Sequence, residues 1–245
     1  MHISFCQARR GGGNLKSLNN RKKCYFRDRA VIEAIESSVA LTTEQVRVIA
    51  FSDIPTGRRK AQERLLRLYR KGKLCREKIG EEYCYFIDNL PGIPMHHIGV
   101  NWIRLWLRSR LKSWEHEHCF IYEPAFEKMR ADGLAAIKNT VTGKFQFYMV
   151  ENDRSTNPFQ KARLYNDLYQ SGSYSGQWWV GLTERFPAVI VATTSERKRK
   201  IILWEIEKNN SAGLEFQVYL LDDLKKEVVE NAEAHCNSVA CIAQN

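Results

Sequence analysis

The sequence predicts an α+β protein in two parts: a small helical unit closed by a hairpin, then an α/β sandwich. Three observations carry this. Residues 27–88 hold three short amphipathic stretches and then an aromatic-rich strand pair, whereas from residue 96 the pattern runs helix, three strands, helix, strand, helix, strand. Between them Asn89-Leu90-Pro91-Gly92-Ile93-Pro94 breaks regular structure. The formal net charge of +10 is also unevenly placed: residues 1–88 carry 19 Lys+Arg against 10 Asp+Glu, and the rest 19 against 18. A chain of 245 residues suits two small domains. The expected division is a basic lead-in over 1–26, the helical unit over 27–90, the sandwich over 91–225 and a weakly patterned tail over 226–245.

In the first unit, Arg29–Ser37 and Thr43–Phe51 have helical periodicity, the second opened by a threonine cap in Leu41-Thr42-Thr43-Glu44-Gln45. A third helix follows Pro55-Thr56-Gly57, where the Thr56 hydroxyl is placed to cap the first turn. It stops at Lys71-Gly72-Lys73, where glycine takes the left-handed conformation. Ala61, Leu65, Leu68 and Tyr69 share its apolar face, and Arg58, Arg59, Lys60, Gln62, Arg64 and Arg67 occupy the rest. Leu74-Cys75-Arg76, a turn near Gly80 and Tyr83–Ile87 then read as a hairpin. Helix, helix, basic helix, hairpin is the order of a winged helix-turn-helix, whose third helix enters the DNA major groove. Thr56, Arg58, Arg59, Lys60, Gln62 and Arg67 are therefore expected to grip the duplex. Arg64, Lys71, Lys73 and the hairpin's Arg76 and Lys78 are expected on phosphates.

The second part opens with His96–Lys112, a helix with Ile98, Trp102, Leu105 and Trp106 on one face. The adjacent His96 and His97 point in different directions on a helix and are not read as a metal pair. His116 and His118 fall on one face of an ordinary strand. Strands are expected over 118–122, 134–138 and 144–150, the last two forming a hairpin, and over 187–193 and 214–221. Helices are expected over 158–170 and 195–209. The loop 171–180 displays Trp178 and Trp179 as a docking surface, if the chain works as an interaction module. Seven scattered cysteines without metal-ligand spacing, no apolar leader and no bilayer-length apolar run lead to the expectation of a cytoplasmic protein with no membrane partner.

Three carboxylates carry the chemistry. Asp132 precedes the second strand of the sandwich, and Glu151 and Asp153 close the third, so the hairpin brings Asp132 near Glu151. Lys161 follows on the next helix. Asp132 and Glu151 as hard oxygen ligands for Mg²⁺ or Mn²⁺, with Asp153 and Lys161 beside them, are what metal-assisted phosphodiester hydrolysis requires. The element order resembles the PD-(D/E)XK nuclease core, with two departures: Asp153 stands where lysine is usual, Lys161 substituting from the helix, and Ala131 replaces the proline before the aspartate. A structural use of the carboxylates, in capping or in pairs with Arg154, Lys161 or Arg163, stays open beside the catalytic one.

Over residues 27–225 the chain also resembles the replication-relaxation family of plasmid and phage-like mobile elements. The resemblance is carried by LLRLYRKGKLCRE, HHIGVNWIRLWL, RADGLAAI, FYMVENDRSTNPFQKARLYNDLY and AVIVATTSERKRKIILW. Its most specific part is E-x-D followed by K-x-x-x-Y, here Glu151, Asp153, Lys161 and Tyr165. The family implies a winged helix, a nuclease-like domain and a role in handling the element's own DNA. The expectations are thus a double-stranded DNA binder, a Mg²⁺- or Mn²⁺-dependent endonuclease or nickase, or an interaction module. A homodimer and replication or transfer proteins are the further partners to expect.

Overall fold

A computed structural model describes residues 20–154 and 157–242. The chain has a mixed α+β fold with seven helices, a three-stranded sheet and a five-stranded mixed sheet among the described residues. The basic stretches of the lead-in before Asn20 lie outside the described residues, while 20–26, also assigned to that lead-in, belong to helix α1.

The N-terminal unit runs α1 (Asn20–Ser37), β1 (Leu41–Thr42), α2 (Thr43–Ala50), α3 (Gly57–Arg70), β2 (Cys75–Ile79) and β3 (Glu82–Phe86). The strands are antiparallel in the order β1-β3-β2. Thr42 and Gln45 cap α2 reciprocally, hydroxyl to backbone N–H and amide oxygen to backbone N–H. The expected Thr56 cap is absent: Thr56 flanks α3, but its side chain makes no capping bond. The α2–α3 turn is closed instead by backbone bonds from Ile54 N–H to Phe51 O and from Gly57 N–H to Ile54 O. A Cβ on Gly57 would lie 2.4 Å from the Phe51 carbonyl oxygen, so the turn needs glycine there. Ala61, Leu65 and Leu68 bury against Val31, Ile35, Leu41, Val46, Leu74 and Tyr85. Tyr69, expected on that face, stays 40% exposed.

The second part is α4 (Pro94–Ser109), β4 (Glu115–Tyr122), β5 (Gly133–Asn139), β6 (Phe145–Asp153), α5 (Lys161–Ser171), β7 (Ala188–Thr193), α6 (Glu196–Asn209), β8 (Phe216–Leu220) and α7 (Leu221–Ile242). Strands β4, β5 and β6 form an antiparallel meander, and β7 and β8 continue it in parallel through the crossover helices α5 and α6. Alternation sorts the sheet's side chains: Ala135, Val150, Ile190 and Ala192 pack toward α4 and α7, and Leu134, Ala136, Phe147, Met149, Val189 and Val191 toward α5 and α6. The sheet is thus a sandwich filling. Trp102 and Trp106 are core, and Trp106 Nε1–H donates to Glu227 on α7.

Two expectations fail here. Residues 226–242, assigned to a weakly patterned tail, belong to the long helix α7, which buries Leu221, Leu224, Val228 and Ala232 at helical spacing. Trp179, read as exposed, is only 1% accessible and stacks on Tyr174, whereas Trp178 is exposed.

The break at 89–94 does not separate the two parts in space. Ala40, Cys84 and Phe86 share one cluster with Ile98, Trp102 and Leu224. Asn101 Nδ2 donates to the Ser38 and Ala40 carbonyls, and Gln45 Nε2 donates to the Ile98 carbonyl. Buried Arg104 forks onto Glu117 at 2.7 Å, donates to Ser37 O and Ser38 Oγ, and reaches the Tyr122 hydroxyl. That network clamps the end of α1 to the sheet.

Candidate functional site

The structure concentrates charge in two places of opposite character. On the N-terminal unit, α3 turns Arg58, Arg59, Gln62, Arg67 and Arg70 outward, with Thr56, Lys71 and Lys73 exposed at its two ends. Lys60 is half-buried. The pairings here are local: Arg59 lies 3.7 Å and Lys60 2.9 Å from Glu63, and Arg58 lies 3.9 Å from Glu44. Lys60 also holds the Glu63 carboxyl below its ordinary pKa, mainly through their hydrogen bond. Arg64 and Arg67 also reach across to another helix. Both bind Asp28 on α1, at 3.3 and 2.5 Å, and Arg64 is largely covered there. Arg64 therefore holds α3 to α1, while Arg67 keeps an exposed flank.

The hairpin has two chemically different faces. Antiparallel register sets Arg76 opposite Tyr85 and Lys78 opposite Tyr83, so these four share the α3 side. Glu77, Ile79, Glu82 and Cys84 share the other side, where Ile79, Glu82 and Cys84 line a groove against α4 and α7. Arg76 was expected on a phosphate; its guanidinium lies over the rings of both Tyr69 and Tyr83.

The second place is a cleft of about 740 Å³ at the C-terminal end of β6, beside Asp132 just before β5 and the start of α5. It brings together Asp132, Glu151, Asp153 and Lys161, the four residues singled out in the sequence, with His96 from α4 beside them. β6 runs on to Asp153, so Glu151 and Asp153 project from one side of the strand and Asn152 from the other. Glu151 is buried at 3% exposure. It accepts hydrogen bonds from Tyr165 Oη at 2.7 Å and Lys161 Nζ at 3.1 Å. Lys161 and Tyr165 lie one helical turn apart on α5, which is why one helix delivers both. Lys161 also donates to the Arg130 carbonyl.

Asp132 is held at both oxygens. The Asn152 backbone N–H donates to Oδ2 at 2.7 Å, and His96 Nε2 lies 3.3 Å from Oδ1. That contact raises the His96 pKa against the opposing effect of burial, whereas burial and the His96 charge lower that of His97. Burial, and then the Asp132 charge, push Glu151 up to about 8 despite Lys161 and Tyr165. Tyr165 is raised well above its ordinary value by burial and by Glu151. Asp153 faces a different partner, Lys198 of α6 at 3.4 Å. The cluster therefore divides into a tight Asp132–Glu151–Lys161 centre and an Asp153–Lys198 flank.

Sequence reasoning missed three contributors. His96 was set aside because its neighbour His97 made a poor metal pair; its relevant partner, Asp132, lies 36 residues away in the chain. Asn152 reaches back to the His96 carbonyl and fits only because residue 99 is glycine, where a Cβ would lie 2.0 Å from its amide nitrogen. Lys198 was legible only as one of four basic residues opening α6. Among the described residues no group of three or more His, Cys, Asp or Glu side chains is arranged to hold a metal ion. Comparison with protein-family models, with curated proteins and with solved structures finds no match for this chain.

Proposed function

We propose that this chain is a double-stranded DNA-binding protein, built as a winged helix-turn-helix on a PD-(D/E)XK-like body and acting on the DNA of a plasmid or phage-like element, as the replication-relaxation resemblance implies. The observation that carries the reading is the outward face of α3, where Arg58, Arg59, Arg67 and Arg70 stay exposed although Arg67 also reaches Asp28, and which continues onto the basic side of the hairpin. Exposed ion pairs contribute at most about 1 kcal/mol, so exchanging Glu63 for DNA phosphates costs little. The element order and the β1-β3-β2 pairing support the winged-helix part. The test is an electrophoretic shift or anisotropy titration on duplex DNA across salt concentrations. Replacing Arg59 and Arg67 together by alanine weakens binding and lowers the log–log salt slope by about 2. Unchanged affinity removes the reading.

A second reading, a Mg²⁺- or Mn²⁺-dependent endonuclease or nickase, is favoured by the convergence of Asp132, Glu151 and Lys161 in one cleft on a meander followed by a parallel crossover. The donor chemistry fits a hard divalent cation, which commonly takes one or two carboxylates and completes its shell with water or substrate oxygens. Burial raises Glu151 most and the Asp132 charge next, and a bound cation would offset both. Asp132 and Glu151 would hold the ion, which supplies charge neutralisation at a phosphodiester. Of the chain's own groups, Lys161 and Tyr165 orient Glu151, and His96 and the Asn152 amide orient Asp132. Incubation of supercoiled plasmid with either metal tests this: nicking by the wild type that Glu151→Ala abolishes supports it, and no nicking leaves only the binder.

A further inference from the structure

The cations of the α3–hairpin surface are not equivalent. Arg58, Arg59, Lys60, Arg64 and Arg67 each lie within 4.0 Å of a carboxylate. Arg76 has no ion-pair partner among the described residues; its guanidinium carbon sits 4.4 Å from the centre of the Tyr69 ring and 4.3 Å from that of Tyr83. One ring comes from the last turn of α3 and the other from β3, so the side chain bridges helix and hairpin. Both tyrosines are 40% exposed, which marks the stack as a surface feature and not part of the core. A guanidinium whose carbon sits over two rings has already lost much of its rotamer freedom, and among the described residues no carboxylate competes for its N–H groups. That is the state in which arginine makes a paired-donor contact to a phosphate with the least entropic cost.

Resting on the DNA-binding reading, we infer that Arg76 is the anchoring phosphodiester contact of this surface and that Tyr69 and Tyr83 are positioning residues that hold it. Arg58, Arg59, Arg64 and Arg67 must leave a carboxylate before they reach DNA; Arg76 leaves none.

Anisotropy titration of the full chain with a fluorescein-labelled blunt duplex, repeated at several salt concentrations, tests the inference. Arg76→Ala weakens binding about tenfold and lowers the log–log salt slope by about 0.9, one phosphate's worth. Arg76→Lys keeps the slope but loses most of the affinity, since an ammonium has no plane to stack and no paired donors. Tyr69→Leu with Tyr83→Leu weakens binding at unchanged charge, and the two phenylalanine changes restore it. In the Arg76→Ala background the leucine changes have no further effect, whereas a merely structural role for the tyrosines makes the losses add. Additive losses, or Arg76→Ala binding like wild type while the Arg59/Arg67 double variant is weakened, overturn this inference alone. A wild-type chain that binds no duplex overturns it together with the DNA-binding reading.

Discussion

The α3–hairpin surface and the carboxylate cleft are both clusters of charge, yet they are built on opposite terms. On α3 most charges, Arg64 excepted, stand in water, where pairs such as those with Glu63 are salt-screened and readily exchanged for an external partner. In the cleft Glu151 is sealed behind Tyr165 and Lys161, and Asp132 is tied by a backbone amide and an imidazole. There the Glu151 carboxylate is out of water and held by fixed partners, so removing one of them leaves a buried group unsatisfied. The difference teaches exchangeability: charge in water can change partners, and buried charge is a geometric commitment.

The severest trial of this contrast is Arg104→Ala. Arg104 is 6% exposed and clamps the end of α1 to Glu117 and Tyr122, so its loss strands a buried carboxylate. Unfolding in urea is expected to show a loss of about 3–5 kcal/mol; a loss typical of surface pairs would erase the distinction. Gly99→Ala comes next. The added methyl drives against the Asn152 amide that bonds His96 O, with an expected cost of about 1–3 kcal/mol and a thermal midpoint to match. A wild-type midpoint would show that the α4–β6 contact yields.

Glu151→Gln probes the same site through pH. With its folded pKa raised to about 8 from an ordinary 4.5, the folded chain holds a proton that the unfolded chain releases. This contribution to stability is complete below the ordinary value and is lost as pH rises from about 4.5 through 8, by up to about 1.4 kcal/mol per pH unit. Denaturation curves across that window should slope in the wild type and flatten in the glutamine variant. The smallest expected effect belongs to Glu63→Ala on the exposed face: thermal midpoint unchanged, duplex affinity slightly tighter because Arg59 and Lys60 lose their local competitor. Weaker binding there would argue that the ion pairs pre-shape the surface.

Much of the architecture was readable residue by residue. The alternating and helical periods from His96 to Leu221 predicted the eight-element order of the sandwich, because side chains on a two-faced sheet and its covering helices must repeat with those periods. The cleft was partly readable too, since a hairpin necessarily brings Asp132 beside the end of β6. Less legible was α7: Leu221, Leu224, Val228 and Ala232 keep a helical spacing, but the charged residues between them hide a narrow stripe whose partner, α4, lies more than 110 residues earlier. Trp178 and Trp179 are adjacent and identical in type, and only packing against Tyr174 and Phe186 tells the buried one from the exposed one.

By itself the sequence determined periodicity, charge placement and which carboxylates and lysine stand at the cleft, all of which are local properties written along the chain. Tertiary structure alone decided which arginines are spoken for: Asp28 takes Arg64 and Arg67, and Tyr69 with Tyr83 takes Arg76. It also chose His96 as the companion of Asp132. Partnership between charges depends on distances of a few ångströms across elements far apart in the chain, and Coulomb and hydrogen-bond energies fall off too steeply for sequence spacing to reveal them.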